Sequence, residues 1–271
     1  MYNGSSLTWY CFAEALPPSF IADLVVHKWI MIILTVLYGL LAISWLASLL
    51  ISGDTKATVL HVILGMVALF SSFGALISVQ ALTYAGIPVT FFFKSVSKAM
   101  LLLCLLMTSN GNSITRSGWT LNKNQCFAMV SCLGYFGFDL AVTSLWQLGY
   151  STSIIRMIGY PLFFIGSVTW IVTNLFHVKS KVKGQQPRQL FFQHFMELLG
   201  IYVFSAVVLS LSKFITCQTV GQSASDIITE IEFSLTFLLV AFLMLMLRPS
   251  RMQQIGFTTF LPLLNEKENS I

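Results

Sequence analysis

The stretch Lys94-Ser95-Val96-Ser97-Lys98-Ala99-Met100-Leu101-Leu102-Leu103-Cys104-Leu105-Leu106-Met107-Thr108 decides how the chain is read. With the apolar residues before it, it is long enough to cross a bilayer as a helix. Yet it carries two lysines four residues apart, one helical turn, so both ammonium groups project from one face. A charge within hydrocarbon costs at least about 2.5 kcal/mol unless it meets water, a counter-ion or polar surroundings. The lysine face must therefore turn toward other helices, and the rest of the chain must supply what the lysines need. The stretch closes in Asn110-Gly111-Asn112-Ser113-Ile114-Thr115-Arg116, a polar stop with a positive charge.

The composition agrees with a chain that lives in lipid. Of its 271 residues 56% are hydrophobic and 9% charged, whereas soluble domains carry about 25% charged residues. So little polar surface would not keep the chain in solution. The fold class expected is an all-α membrane protein. The net charge of +5 then reads as basic loops on one side of a membrane, and nucleic acid is not an expected partner. Three of the five cysteines fall inside apolar spans and their spacing matches no metal-ligand pattern, so no metal and no cofactor are expected.

Seven apolar spans of roughly 20 residues follow one another. They run from Trp29 to Ile51, Thr58 to Leu82, Pro88 to Thr108, Gln125 to Leu148, Ser153 to Phe176, Phe191 to Phe214, and Ile227 to Leu247. The junctions are short, polar and rich in Gly or Ser, as turns between antiparallel neighbours are. Residues 1–27 are read as a short tail, 28–248 as a seven-transmembrane bundle and 249–271 as a second tail. The first segment lacks a basic start, and Glu14, Pro17, Pro18 and Asp23 interrupt it, so it is not read as a cleavable signal peptide.

Lysine and arginine set the orientation. On one side fall Lys56, Arg116, Lys123, Lys179, Lys181, Lys183, Arg188, Arg248, Arg251 and Lys267; the other holds Lys28, Arg156 and Lys213. The N-terminus is therefore expected to be lumenal or extracellular and the C-terminus cytosolic. Asn3-Gly4-Ser5 is a glycosylation sequon on the side where it could be used. Cys11 and Cys217, the two cysteines outside the spans, also fall on the oxidising side, either bridged or as two free thiols.

Two words at helix ends carry a family resemblance. Leu101 to Leu106 followed by Asn110-Gly111-Asn112-Ser113-Ile114-Thr115-Arg116 resembles the close of the third helix in the intimal-thickness-related receptor family, where a Leu-rich run precedes a Gly-x-Thr-Ile-Thr-Arg-like sequence. Leu247-Arg248-Pro249-Ser250-Arg251 resembles that family's ending of the seventh helix, and Pro187 to Phe192 is a weaker match at the sixth. The family is similar to the wider group of Golgi-dynamics seven-helix proteins, which carry a lumenal β-sandwich before the first helix. Residues 1–27 are too few for such a domain of about 100 residues. The chain is thus read as a truncated member, an isoform, or a minimal core that binds a separate partner. The resemblance implies a receptor-like or trafficking-related protein of the Golgi, endosomes or plasma membrane, not an enzyme, and names no ligand.

Several ionisable residues lie within the spans, and six of them are read together. Lys98 falls near the membrane middle, and Asp139, on a span running the other way, at comparable depth. Lys94, Arg156, Glu230 and Glu232 lie in the outer half. Three bases and three acids suit a mutually neutralising interior. They are expected to line a polar cavity open on the N-terminal side, with a lipid, small ligand or lumenal protein as occupant. The plainer account lets the lysines snorkel to headgroups while the acids pair locally.

Other residues carry plainer readings. His61 is read as a hydrogen-bonded core histidine, and His194 with Glu197 as a same-face polar pair near the basic segment from Lys179 to Arg188. Gly65, Ser71, Ser72, Gly74 and Ser78 are read as a small-residue face for helix packing.

A channel or transporter using the intramembrane charges is the alternative. The third span lacks a following Asp/Glu-Arg-Tyr and the seventh lacks Asn-Pro-x-x-Tyr, so G-protein coupling is not assumed. The seventh also lacks the Schiff-base lysine of light-driven pumps, and His27, His61, His177 and His194 form no His-x-x-x-His pair for a zinc hydrolase.

Overall fold

The computed structural model describes the backbone of residues 18–52, 58–80, 86–111, 123–147, 153–182, 186–219 and 222–248. The described residues form seven helices: α1 (Pro18–Ser52), α2 (Val59–Gln80), α3 (Gly86–Ser109), α4 (Lys123–Gln147), α5 (Ser153–Lys181), α6 (Gln186–Thr219) and α7 (Gln222–Met246). All seven are long and apolar enough to cross a membrane, and no strand occurs among the described residues. The chain is a multi-pass helical membrane protein. Asn3, Cys11 and the 249–271 tail lie outside the described residues, as do the side chains of Cys217 and Arg156.

The surface of α1 shows why water is not its solvent. Met31, Leu34, Tyr38, Ala42 and Trp45 recur every three or four residues and are buried. The opposite face repeats Ile33, Leu40, Ile43, Leu46 and Leu50, and these are exposed. A soluble helix would place polar residues there; a helix that is apolar all round is one buried in protein or lipid.

Helix limits depart from the apolar spans where helices outrun hydrocarbon. α1 begins at Pro18, inside the segment read as a tail, although the stretch apolar enough to span begins at Lys28. Proline suits the first helical position, where its missing N–H has no partner to lose. α6 runs from Gln186 to Thr219, past Cys217, and α7 starts at Gln222, so the segment read as a short polar junction, Cys217 to Asp226, is mostly helical. α3 stops as its sequence dictates. Gly111 takes a left-handed φ of 71°, and its N–H donates to the Thr108 carbonyl at 3.0 Å.

Successive helices run antiparallel, and side-chain contacts set their register. α1 meets α2 through Trp45 with His61 and Ser72 with Thr35; α2 meets α3 through Ser97 with Val67 and Ser71. α3 meets α4 through Cys132 with Ala99 and Ser95 with Asp139. α2, α3, α5, α6 and α7 close a ring, in which each packs on the next and α7 returns to α2. α1 lies outside α2 and α7, and α4 lies outside α3 and α5. The small residues of α2 serve two neighbours: Gly65 and Ser72 face α1, at Trp45 and Thr35, while Ser71 and Gly74 face α3, at Ser97 and Lys94.

The apolar core occupies one end of this ring. From α3 it takes Leu101 and Cys104 to Met107, from α5 Ile171, Leu175, Val178 and Val182, from α6 Phe191, Phe192, Phe195 and Leu199, and from α7 Leu239, Val240, Leu243, Met244 and Leu247. In each case these residues belong to the half nearest the end where α1, α3, α5 and α7 finish. This is the closed end. Toward the opposite, open end the described interior changes character, and its buried residues include Thr90, Ser95, Ser97 and Glu230.

Candidate functional site

The change from apolar to polar interior falls at Lys98. Its ammonium lies 3.8 Å from a Glu232 carboxylate oxygen on α7, and 49% and 42% of the two side chains are exposed. Such exposure does not put Lys98 on the rim. Tyr135, Asp139 and Tyr202, from α4 and α6, also stand within electrostatic range of it. α3 and α7 approach each other only sparsely along their lengths. The ion pair therefore reaches across an opening that the ring surrounds.

Lys94, one turn nearer the open end, is placed by packing. Its stem lies against Gly74 of α2, where an added Cβ would come within 3.3 Å of the lysine Cγ. Its ammonium sits over the ring of Phe233, 5.8 Å from the centroid, a cation–π arrangement. The helix pitch thus sends two lysines four residues apart to adjacent residues of α7, one to a carboxylate and one to an aromatic face.

Asp139 has a different set of partners. Its two carboxylate oxygens accept hydrogen bonds from the hydroxyls of Ser95 on α3 and Tyr160 on α5. The sequence placed Lys98 and Asp139 at one depth, and the structure brings them within electrostatic range, but the carboxylate on the ammonium is Glu232. Tyr160 comes close because its helix neighbour Gly159 lets the Phe138 ring press against the α5 backbone. Glu230 is buried two residues before Glu232. Arg156 lies on α5, and its side chain is outside the described residues.

The tyrosines were missed in the sequence, being counted among apolar residues. Tyr38 is fully buried, and its hydroxyl donates to the Phe233 carbonyl at 3.3 Å beside Ser71. Ser71 in turn shares a 2.5 Å hydrogen bond with Ser97. These hydroxyls gather where α1, α2, α3 and α7 meet. The Tyr202 hydroxyl is hydrogen-bonded to Thr236, tying α6 to α7 beside Glu232. A signal was present: buried tyrosine needs a partner for its hydroxyl, and four of these rings fall in the spans that carry or flank the ionisable residues.

No protein-family model and no curated protein matches the chain. The geometry alone then defines what the site can do. Ammonium groups, carboxylates and phenols, partly open and backed by an apolar floor, can hold a ligand that combines charge with hydrogen-bonding groups. Among the described residues no group of three or more His, Cys, Asp or Glu could hold a metal ion.

Proposed function

We propose that this chain is a receptor-like or trafficking-related seven-helix membrane protein that takes a lipid, a small ligand or part of a partner into the opening around Lys98 and Glu232. One observation carries the reading: the Lys98–Glu232 pair is half open although the bundle beneath it is packed shut. Full enclosure would add to the desolvation cost of both charges and would leave neither within reach of a ligand. Half of each side chain is instead left for something else to touch.

The open end is the end from which α1 starts. With the N-terminus lumenal or extracellular, as the distribution of Lys and Arg favours, the site opens away from the cytosol. Membrane lipids and a lumenal ligand or protein are then the natural occupants, in the Golgi, endosomes or plasma membrane. A channel or transporter ranks second. Among the described residues, the span of α3 from Cys104 to Gly111 is buried throughout, and the same level holds Leu243, Leu247, Phe192 and Phe195. A polar path would have to breach that floor.

Cysteine labelling tests the proposal. Cys11, Cys126 and Cys217 are first changed to serine. Glu232→Cys and Tyr135→Cys are then treated with a membrane-impermeant thiol reagent in vesicles of known sidedness. Both should react from the lumenal or extracellular face, and Leu106→Cys from neither. Protection of both sites from either face, in folded protein, overturns the reading.

A further inference from the structure

α6 carries a second polar group of residues, unconnected with the opening. Gln193, His194 and Glu197 are exposed on the same face as Leu190, Ile201 and Phe204. The span of α6 runs from Pro187 to Ser212. Glu197 lies ten residues into it, about 15 Å along the axis and so near the middle of hydrocarbon roughly 30 Å thick. The Gln193 amide donates to one Glu197 oxygen at 3.2 Å, and His194 Nδ1 donates to the other at 3.2 Å. The histidine and glutamate side chains nevertheless remain 63% and 55% exposed. Among the described residues, no other helix bonds to any of the three. Ionisable groups at such depth almost always face protein or water-filled space, and this face has neither within one copy of the chain.

We propose that this face of α6 is the interface of a two-fold dimer of the chain. Donors and acceptors sit on one helix face within a turn of each other, Gln193 and His194 above and Glu197 below. A two-fold axis along the membrane normal sets a second α6 parallel to the first. Like residues then stand at one height, and the donors of each copy reach the carboxylate of the other diagonally, about one turn away, each contact being made twice as an isologous interface requires. A second observation points to a helix as the occupant. Gly200, the next residue along this face, is exposed, and a Cβ built there would meet nothing within 4 Å. An open glycine beside hydrogen-bonding side chains lets two helix backbones approach closely in lipid. α6 is also the least enclosed of the seven spans: 11% of its most apolar stretch is buried, against 44% for α3. A lipid headgroup fits poorly, since Glu197 lies near the middle of the hydrocarbon, about 15 Å from the level of the headgroups.

The full-length chain, fluorescently labelled one dye per copy, is reconstituted at high dilution in phosphatidylcholine vesicles and its bleaching steps are counted. The wild type should bleach mainly in two steps. Glu197→Leu should shift the population to single steps, while Glu197→Gln, which can still accept and donate, should keep most of the dimer. Gly200→Ile should weaken it at least tenfold in the dissociation constant. The exchange His194→Glu with Glu197→His restores the complementarity and should restore two-step bleaching, which separates the contact from a folding defect. A wild type that bleaches in one step overturns the proposal, as does a dimer untouched by both Glu197→Leu and Gly200→Ile.

Discussion

His61 shows how much a single side chain can settle. The Thr58 backbone N–H can only donate, so the ring nitrogen 3.0 Å away, Nδ1, accepts, and the Thr58 hydroxyl approaches the same atom at 2.6 Å. The Leu247 carbonyl can only accept, so Nε2, at 2.7 Å, carries the proton. The imidazole is therefore the neutral Nε2–H tautomer. Thr58 caps α2, its carbonyl accepting from the His61 N–H, and His61 stands three residues on. It fills the place that Glu or Gln takes in a capping box. Its other nitrogen satisfies a carbonyl at the end of α7, and Trp45 of α1 stacks on the ring and donates to its carbonyl at 2.9 Å. His61→Phe should keep the stack and lose both ring hydrogen bonds. Thermal unfolding in detergent should show a loss on the order of 2–3 kcal/mol, since each unsatisfied buried group costs about 1–3 and membrane hydrogen bonds fall at the low end. A Tm within 1 °C of wild type would contradict it. The sequence showed a lone histidine in a span and hence the need for partners. Their identity was hidden, because Leu247 lies far along the chain and offers a backbone carbonyl, which no residue type announces.

At the scale of helices, periodicity and hydropathy marked all seven elements, and the ends were less legible because a helix continues through polar residues past the hydrocarbon until its backbone is stopped, so polarity marks the edge of the lipid and not the end of the helix. The crossing of α4 and α5 was not legible at all. It depends on Gly159, where an added Cβ would overlap the Phe138 ring. Phe138 also meets Tyr160 edge-on, with ring centroids 5.3 Å apart. The glycine thus sets the distance at which Asp139, next to Phe138, receives the Tyr160 hydroxyl. Gly159→Ala should destabilise by roughly 1–3 kcal/mol, as overpacking does. On a Phe138→Leu background, where the ring is gone, the same change should cost less than about half as much. Equal costs on the two backgrounds, read from denaturation midpoints, would place the strain elsewhere.

For the whole molecule, the argument turns on which end of the bundle faces the cytosol. The closed end bears Lys123, Lys179, Lys181, Arg188 and Arg248 among the described residues, and the open end bears Lys28, Arg156 and Lys213. Cytosolic loops collect Lys and Arg, so the apolar floor should lie on the cytosolic side and the polar opening should face the lumen or the outside. The candidate site was legible in this asymmetry and in the lysine spacing of α3, since a helix with two lysines on one face has to find partners. What the sequence could not show was the sharing of carboxylates, which depends on lateral offsets between helices that a depth count does not resolve. Glycosylation decides the orientation. In cells, Asn3→Gln should remove a glycan and raise mobility on a gel. Lys267→Thr, which completes a sequon at Asn265 in the C-terminal tail, should add none. A glycan at Asn265 with none at Asn3 would turn the opening toward the cytosol. The Lys98–Glu232 pair would then be offered to cytosolic ligands, and a lumenal occupant would be ruled out.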